Sequence, residues 1–255
     1  TVEEGGILTH STHISDHLYS LVMNVSGDLT VSSGGMIDVN GKGYRGGNGP
    51  GAGVYNENRG PGAGYGGNGG ISSNATGGVP YGSLYQPTDL GSGGGNVNGR
   101  TGGSGGGAVR LVVDGTLIVD GTITSSGTVG GTYSYYGRYT GGGSGGSIWM
   151  TAGSLAGSGT ITAPGGDYSG SSSGGGAGGR IAVYADTDLF TGTVTAFGAI
   201  GHQYGAAGTV FWKTGGQEGG ELIVNNDNHI ARGTMIPADD YDFDALTIRG
   251  GRLIL

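Results

Sequence analysis

Apolar residues along this chain alternate with polar ones in short runs, and each run emerges from a stretch of glycine. Four stretches share this pattern: GGSGGGAVRLVV (Gly102 to Val113), GGGSGGSIWMTA (Gly141 to Ala152), GGGAGGRIAVYA (Gly174 to Ala185) and GAAGTVFWKT (Gly205 to Thr214). A period of two puts Val109, Leu111 and Val113 on one face of a strand. Ile148 and Met150, Ile181 and Val183, and Val210 and Trp212 take the same face in later copies. Each copy leads into a second strand-like piece: GTLIVDGTI, GSLAGSGTI, TDLFTGTV and GGELIV. The copies recur at intervals of 29 to 39 residues, a spacing typical of stacked repeats. Val22 to Gly41 aligns with Val109 to Gly127 as an earlier copy.

Stacking the copies predicts three apolar rows. The first holds Val109, Ile148, Ile181 and Val210; the second Leu29, Leu117, Leu155 and Leu222; the third Ile37, Ile123, Ile161 and Val194. Three rows per repeat predict an all-β fold, a right-handed parallel β-helix in which sheet edges occur only at the two ends. No window shows a 3.6-residue apolar period or a cap followed by helix formers, so no helix is expected.

The whole chain, 1–255, reads as a single β-solenoid domain. Residues 41–107 form a long glycine-rich insertion, with shorter versions at 127–147 and 164–179. Glycine recurs at every third position in Gly43, Gly46, Gly49 and in Gly64, Gly67, Gly70. Three residues per turn is the polyproline II period, which admits a polyglycine-II-like packing of these runs as lateral loops. Residues 225–255 read as divergent C-terminal rungs: a turn at Asn225 to Asn228, an acidic stretch, then a strand pair about Gly250-Gly251. That last piece resembles Val2 to Leu8, and neither shows a polar cap. The expected partner is therefore a second copy, or further rungs of a longer chain.

Composition narrows the function classes. Of 255 residues 66 are glycine, yet 34% are hydrophobic and clustered in alternating runs, which argues against a flexible linker. Cysteine is absent, so disulfides and thiolate metal sites are excluded. A net charge of −8 with only Lys42 and Lys213 as lysines argues against nucleic acid. No apolar run approaches the ~20 residues of a membrane span. Residue 1 is Thr and no signal peptide is visible, which is expected of a processed chain or a piece of a longer one. Asn24-Val25-Ser26 and Asn74-Ala75-Thr76 match the N-glycosylation sequon.

The run GGGSGGSIWMTAGSLAGSGTITAPGG, with GGGAGGRIAVYADTDLFTGTVTAFG and GAAGTVFWK after it, resembles the glycine-rich parallel β-helix repeat regions of very large secreted bacterial surface proteins of adhesin-like type. The resemblance extends from about Gly27 to Leu255. It implies an extracellular, cell-surface location and a structural or adhesive role, and it carries no catalytic motif.

Candidate chemistry is sparse. Gly62 to Gly67 and Gly103 to Gly107 look like phosphate loops, but the glycines precede a strand rather than open a helix, and no Gly-Lys-Ser/Thr follows. Polysaccharide cleavage would need clustered acids, whereas Asp28, Asp38 and Asp120 fall one per rung, as do Arg110 and Arg180. His10, His13 and His17 share an irregular segment with Asp16 and no catalytic motif. Asp240, Asp242 and Asp244 would lie on one side of a strand and offer hard oxygen ligands for Ca²⁺; Asp186 and Asp188 are a weaker version. Tyr133, Tyr135, Tyr136 and Tyr139 crowd one glycine-rich loop and could meet a surface polysaccharide, although anchoring the loop is the plainer role. The sequence reading is thus a non-catalytic, extracellular structural or adhesive module, self-associating end to end into filaments. The alternatives are a carbohydrate-active β-helix (a lyase or binding module) and a phage or surface adhesin tip.

Overall fold

The computed structural model describes residues 1–12, 16, 20–133, 137–168, 172–236 and 241–255, and no helix occurs among them. The larger sheet has eight strands. In spatial order they are β16 (Ala245–Arg249), β14 (Glu221–Asn225), β13 (Thr209–Thr214), β11 (Arg180–Phe190), β9 (Ser147–Gly157), β5 (Ala108–Val119) and β2 (Leu21–Val25), with β3 (Leu29–Val31) also paired to β5. The second sheet has five: β1 (Ile7–Leu8), β4 (Met36–Asp38), β6 (Thr122–Thr124), β10 (Thr160–Thr162) and β12 (Thr193–Thr195). Two small pairs complete the described strands: β7 (Thr132–Tyr133) with β8 (Arg138–Tyr139), antiparallel, and β15 (Thr234–Met235) with β17 (Leu253–Ile254), parallel.

The core lies between the two large sheets. Leu21, Val109, Ile148, Ile181 and Val210 stand opposite one another along parallel strands. Leu8, Ile37, Ile123, Ile161 and Val194 do the same in the second sheet. Ile37, Ile123, Ile148, Ile161 and Ile181 are fully buried. Burying each such aliphatic side chain contributes about 1.5–3 kcal/mol.

Three features overturn the right-handed parallel β-helix expected from the sequence. First, among the described residues the strands do not close into a coil; they form two stacks. The first and second predicted rows belong to one sheet, because β5 runs unbroken through Asp114-Gly115, absorbing them as an irregularity between Val113 and Thr116. Second, the eight-stranded sheet is mixed. Thr214 to Gln217 form a tight turn, with Gly216 at φ 86° and Gln217 N–H donating to Thr214 O at 3.2 Å. That turn reverses the chain, so β14 pairs antiparallel to β13. Leu222 therefore leaves the second row. Asp188 stands opposite Leu155, while Leu222 pairs with Phe211 and enters a separate core with Leu84, Ala182, Val224 and Ile236.

Third, the glycine runs are buried instead of forming lateral loops. Residues 60–70, 91–95, 141–146 and 174–179 are all buried. Successive N–H groups of residues 141–146 donate in turn to Gly95, Gly174, Thr128, Ser92, Ala177 and Ser125. Residues i and i+3 thus reach the same neighbouring segment, and three neighbours surround the run. Residues 174–179 repeat the pattern, donating to Gly60, Gln203, Gly166, Ala63, Ala206 and Ala163. A β-strand points its N–H groups to two sides; these extended segments point theirs to three, as a three-residue turn requires. Buried backbone groups are thereby paired without side chains. The spacing leaves no room for a side chain: a Cβ on Gly142 would run into the Gly166 carbonyl, and one on Gly67 into that of Ala207.

Candidate functional site

The outer face of the eight-stranded sheet is where the glycine-rich insertion comes back over the strands. At the start of the strands, Ser147, Arg180 and Thr209 stand in one cross-strand row, and all three are fully buried. The segment 79–92 and Tyr65 cover them. Tyr65 and Ser147 hydroxyls lie 2.5 Å apart, and Ser147 Oγ donates to the Asp89 carbonyl at 2.5 Å. Tyr81 Oη donates to the Leu90 carbonyl at 2.5 Å and lies 2.8 Å from Ser92 Oγ, which accepts from Gly51 N–H at 2.9 Å. The Tyr65 and Tyr81 rings are tilted against each other with centroids 4.7 Å apart. Arg180 donates through Nε to the Tyr81 carbonyl at 2.9 Å and through Nη1 to Thr209 Oγ1 at 3.2 Å.

Burial sets the electrostatics of this cluster. Desolvation pushes the Tyr65 and Tyr81 phenols well above their usual range, against the smaller opposing pull of Arg180 on Tyr65 and of the Ser92 hydrogen bond on Tyr81. Desolvation also lowers Arg180, partly offset by the tyrosine oxygens around it. Tyr184, four residues further along β11, is raised to about 12 by burial; its hydroxyl donates to the Tyr85 carbonyl at 2.8 Å. Tyr85, Phe211, Tyr241 and Phe243 extend the aromatic cover, with Tyr85 edge-on to Phe211 at 4.8 Å.

The residues singled out from sequence fall elsewhere and apart. Asp28 accepts from Thr116 N–H at 2.7 Å, Asp38 from Asn40 N–H at 2.8 Å, and Asp120 from Ser158 N–H at 3.0 Å. Asp188 accepts from Trp212 Nε1 at 2.9 Å. Asp38 closes its own turn, while Asp28, Asp120 and Asp188 each tie their segment to a neighbouring one, and the four are held at separate places. Of the calcium candidates, Asp240 lies outside the described residues. Asp244 accepts from Gly219 and Gly220 N–H at 3.2 and 2.8 Å, and Asp242 is exposed. Among the described residues no three His, Cys, Asp or Glu side chains gather as a metal site would require. His13 and His17 lie outside the described residues, and His10 Nε2 accepts from Ala108 N–H at 3.4 Å.

In the tyrosine-rich loop, Tyr135 and Tyr136 lie outside the described residues, and Tyr133 pairs with Arg138 through its backbone. Tyr139 accepts from Gly60 N–H at 2.8 Å, and Arg59 sits 4.9 Å over its ring. Both contacts fasten the loop to the glycine-rich insertion. Of the two sequons, Asn24 and Asn74 are exposed.

Arg180 was visible in the sequence only as one arginine per rung. The signal that marks it is its place as the first residue of a strand directly after Gly178-Gly179, with its side chain under an insertion whose Tyr81 lies 99 residues earlier.

Among the described residues no strand covers either end of the eight-stranded sheet. Leu21, Met23 and Val25 on β2 complete the core row but are only half-buried, because nothing among the described residues pairs with the free edge of β2. At the other end β16 exposes Leu246 and Ile248, at 50% and 45%. Comparison of the chain with family models, with curated proteins and with solved structures finds no match.

Proposed function

We propose that the chain is a non-catalytic, extracellular structural or adhesive module that extends end to end at its two uncovered sheet edges, β2 and β16. The observation that carries this reading is the half-buried row Leu21, Met23 and Val25. Its alternation matches the interior rows, yet among the described residues no strand covers one side of it. A free edge of this kind is a template for another strand unless charges or loops block it. Val22 on the same edge and Leu246 and Ile248 on the opposite edge are exposed apolar residues; β2 carries no charge, and Arg249 at the end of β16 is the one charged residue on the two strands. The reversal at β13 and β14 fixes the polarity of the junction. β16 runs antiparallel to β2, so a translated copy meets it with an antiparallel ladder. Such a contact is heterologous and propagates unless it closes into a ring.

The buried glycine block supports a mechanical role. It cross-links the chain by backbone hydrogen bonds in three directions. Catalysis finds no comparable support, since Asp28, Asp38, Asp120 and Asp244 each accept from backbone N–H groups at separate places in the fold.

The test is sedimentation velocity and electron microscopy across a hundredfold concentration range. We expect growing linear species for the unaltered chain, and a monomer for Leu246→Lys combined with Ile248→Lys. A monomer throughout, or equal assembly of the double variant, would overturn the reading.

A further inference from the structure

Arg180 is the one charged side chain fully buried among the described residues. A guanidinium does not shed its proton at any ordinary pH, so its charge goes into the interior with it. Buried charges are normally paired, and an uncompensated one is costly. Here the compensation is incomplete. Nε and Nη1 meet a carbonyl and a hydroxyl, both neutral, and the Tyr65 ring faces the guanidinium carbon at 5.7 Å. Nη2 is buried and has no hydrogen-bond partner. Asp89 influences the group from a distance without pairing with it.

The same side chain lines a cavity of about 320 Å³, together with Val79, Pro80, Tyr81, Met235 and Ile236. A cavity of this size holds a small organic molecule, and an apolar wall with one fixed donor is the usual composition of such a site. We propose that it binds a small monocarboxylate with an apolar body. The carboxylate accepts from Arg180 Nη2, and the body lies against Val79, Pro80, Met235 and Ile236. One free guanidinium nitrogen, with no second cation lining the cavity among the described residues, suits a single negative charge better than a phosphate or sulfate dianion. The apolar walls would leave an inorganic ion without its hydration. A neutral ligand would not answer the unpaired charge.

Entry is set by the mouth. Val79 and Met235 are exposed at 56% and 43%, whereas Arg180 has no exposure. Nη2 is therefore reached when a mouth side chain turns aside, and Met235 is the unbranched, flexible one.

The test uses the whole chain with hexanoate, hexan-1-ol and sodium sulfate as probes, read by saturation-transfer NMR and by thermal shift. Hexanoate should bind saturably and raise the melting temperature as its concentration rises. Hexan-1-ol should bind at least about tenfold more weakly, having no charge for the guanidinium. Sulfate should have no saturable effect. Met235→Trp, which fills the mouth and leaves every Arg180 hydrogen bond in place, should abolish hexanoate binding while the circular dichroism stays unchanged. Equal binding of hexanoate and hexan-1-ol, or no saturable hexanoate binding up to about 50 mM, would overturn the proposal even if the variant failed to fold. So would unchanged binding in a folded Met235→Trp chain.

Discussion

Residues 141–146 and 147–152 adjoin in sequence and are held by opposite means. In the first six, GGGSGG, every N–H donates to a neighbouring backbone or main-chain segment, rotating through three partners. In the second six, SIWMTA, the backbone bonds to two flanking strands while Ile148, Met150 and Ala152 fill the core between the sheets. The strand is specified by what its side chains displace from water, so it tolerates a change of apolar shape. The glycine run is specified by what its residues lack: Ser144 fits with its hydroxyl accepting from Ser92 N–H at 2.9 Å, but a Cβ at Gly142 meets the Gly166 carbonyl and one at Gly143 that of Ser104. A period of two and a period of three thus meet at the bond between Gly146 and Ser147.

The sharpest way to break this comparison is to exchange one residue on each side. Gly142→Val should prevent folding, because its Cβ alone runs into the Gly166 carbonyl and the remaining directions are occupied by bonded backbone. Overpacking ordinarily costs about 1–3 kcal/mol where side chains can shift, and here the obstacle is main chain. Ile148→Val, six residues on, removes one methyl from a fully buried position and should cost only about 0.5–1.5 kcal/mol. Urea unfolding followed by circular dichroism measures both. A folded Gly142→Val chain as stable as Ile148→Val would show that the glycine block is loose, and the contrast would disappear.

How far this was legible in the sequence follows from the same division. The aliphatic rows could be read because alternation is a local signal: Val109, Ile148, Ile181 and Val210 do stand in one row. Leu222 could not be placed, since a leucine after GGE looks the same before a parallel return and after a hairpin. The turn geometry at Gly216 decides between them. The three-sided coil was expected for a related reason: GTLIVDGTI reads as a second strand-like piece, and in the fold its first part continues β5 past an irregularity between Val113 and Thr116. Glycine recurrence announced extended segments but not their neighbours. A residue without a side chain carries no mark of what it packs against, so close packing of the runs could be read from the glycines but not the segments that surround them. The Arg180 cluster is assembled from Tyr65, Tyr81 and Thr209, whose proximity depends entirely on where the insertion folds back.

A second probe acts on the cover that joins the two regions. Tyr65, Tyr81 and Tyr184 all have phenols raised by burial, Tyr184 to about 12. A group whose folded-state pKa lies above its unfolded value of ~10 favours the fold fully below pH ~10, and this contribution fades as pH rises through the folded value. Stability should therefore be flat up to about pH 10 and fall steeply between about 10 and 12. In an alkaline titration at 295 nm, exposed tyrosines should ionise first and the remainder only as the chain unfolds. Complete, reversible ionisation of all tyrosines with the circular dichroism unchanged would show that the insertion does not seal the outer face.

The smallest effect should come from a glycine that belongs to neither region. Gly27 lies in the turn between β2 and β3, is exposed, has no positive φ, and a Cβ placed on it meets nothing within 4 Å. Its conformation is open to any residue, so Gly27→Ala should act through the unfolded chain alone, by restricting its freedom. That predicts a gain of about 0.4–1 kcal/mol, opposite in sign to any substitution at Gly142. Paired urea curves for Gly27→Ala and Gly142→Ala decide the matter, since both introduce the same methyl group. If the two variants shift the midpoint in the same direction and by similar amounts, the cost of a side chain is a property of glycine replacement in general. If Gly27→Ala is neutral or stabilising while Gly142→Ala loses stability, the cost belongs to the close approach of backbones inside the block. The measurement then separates glycine used for packing from glycine used only for turning.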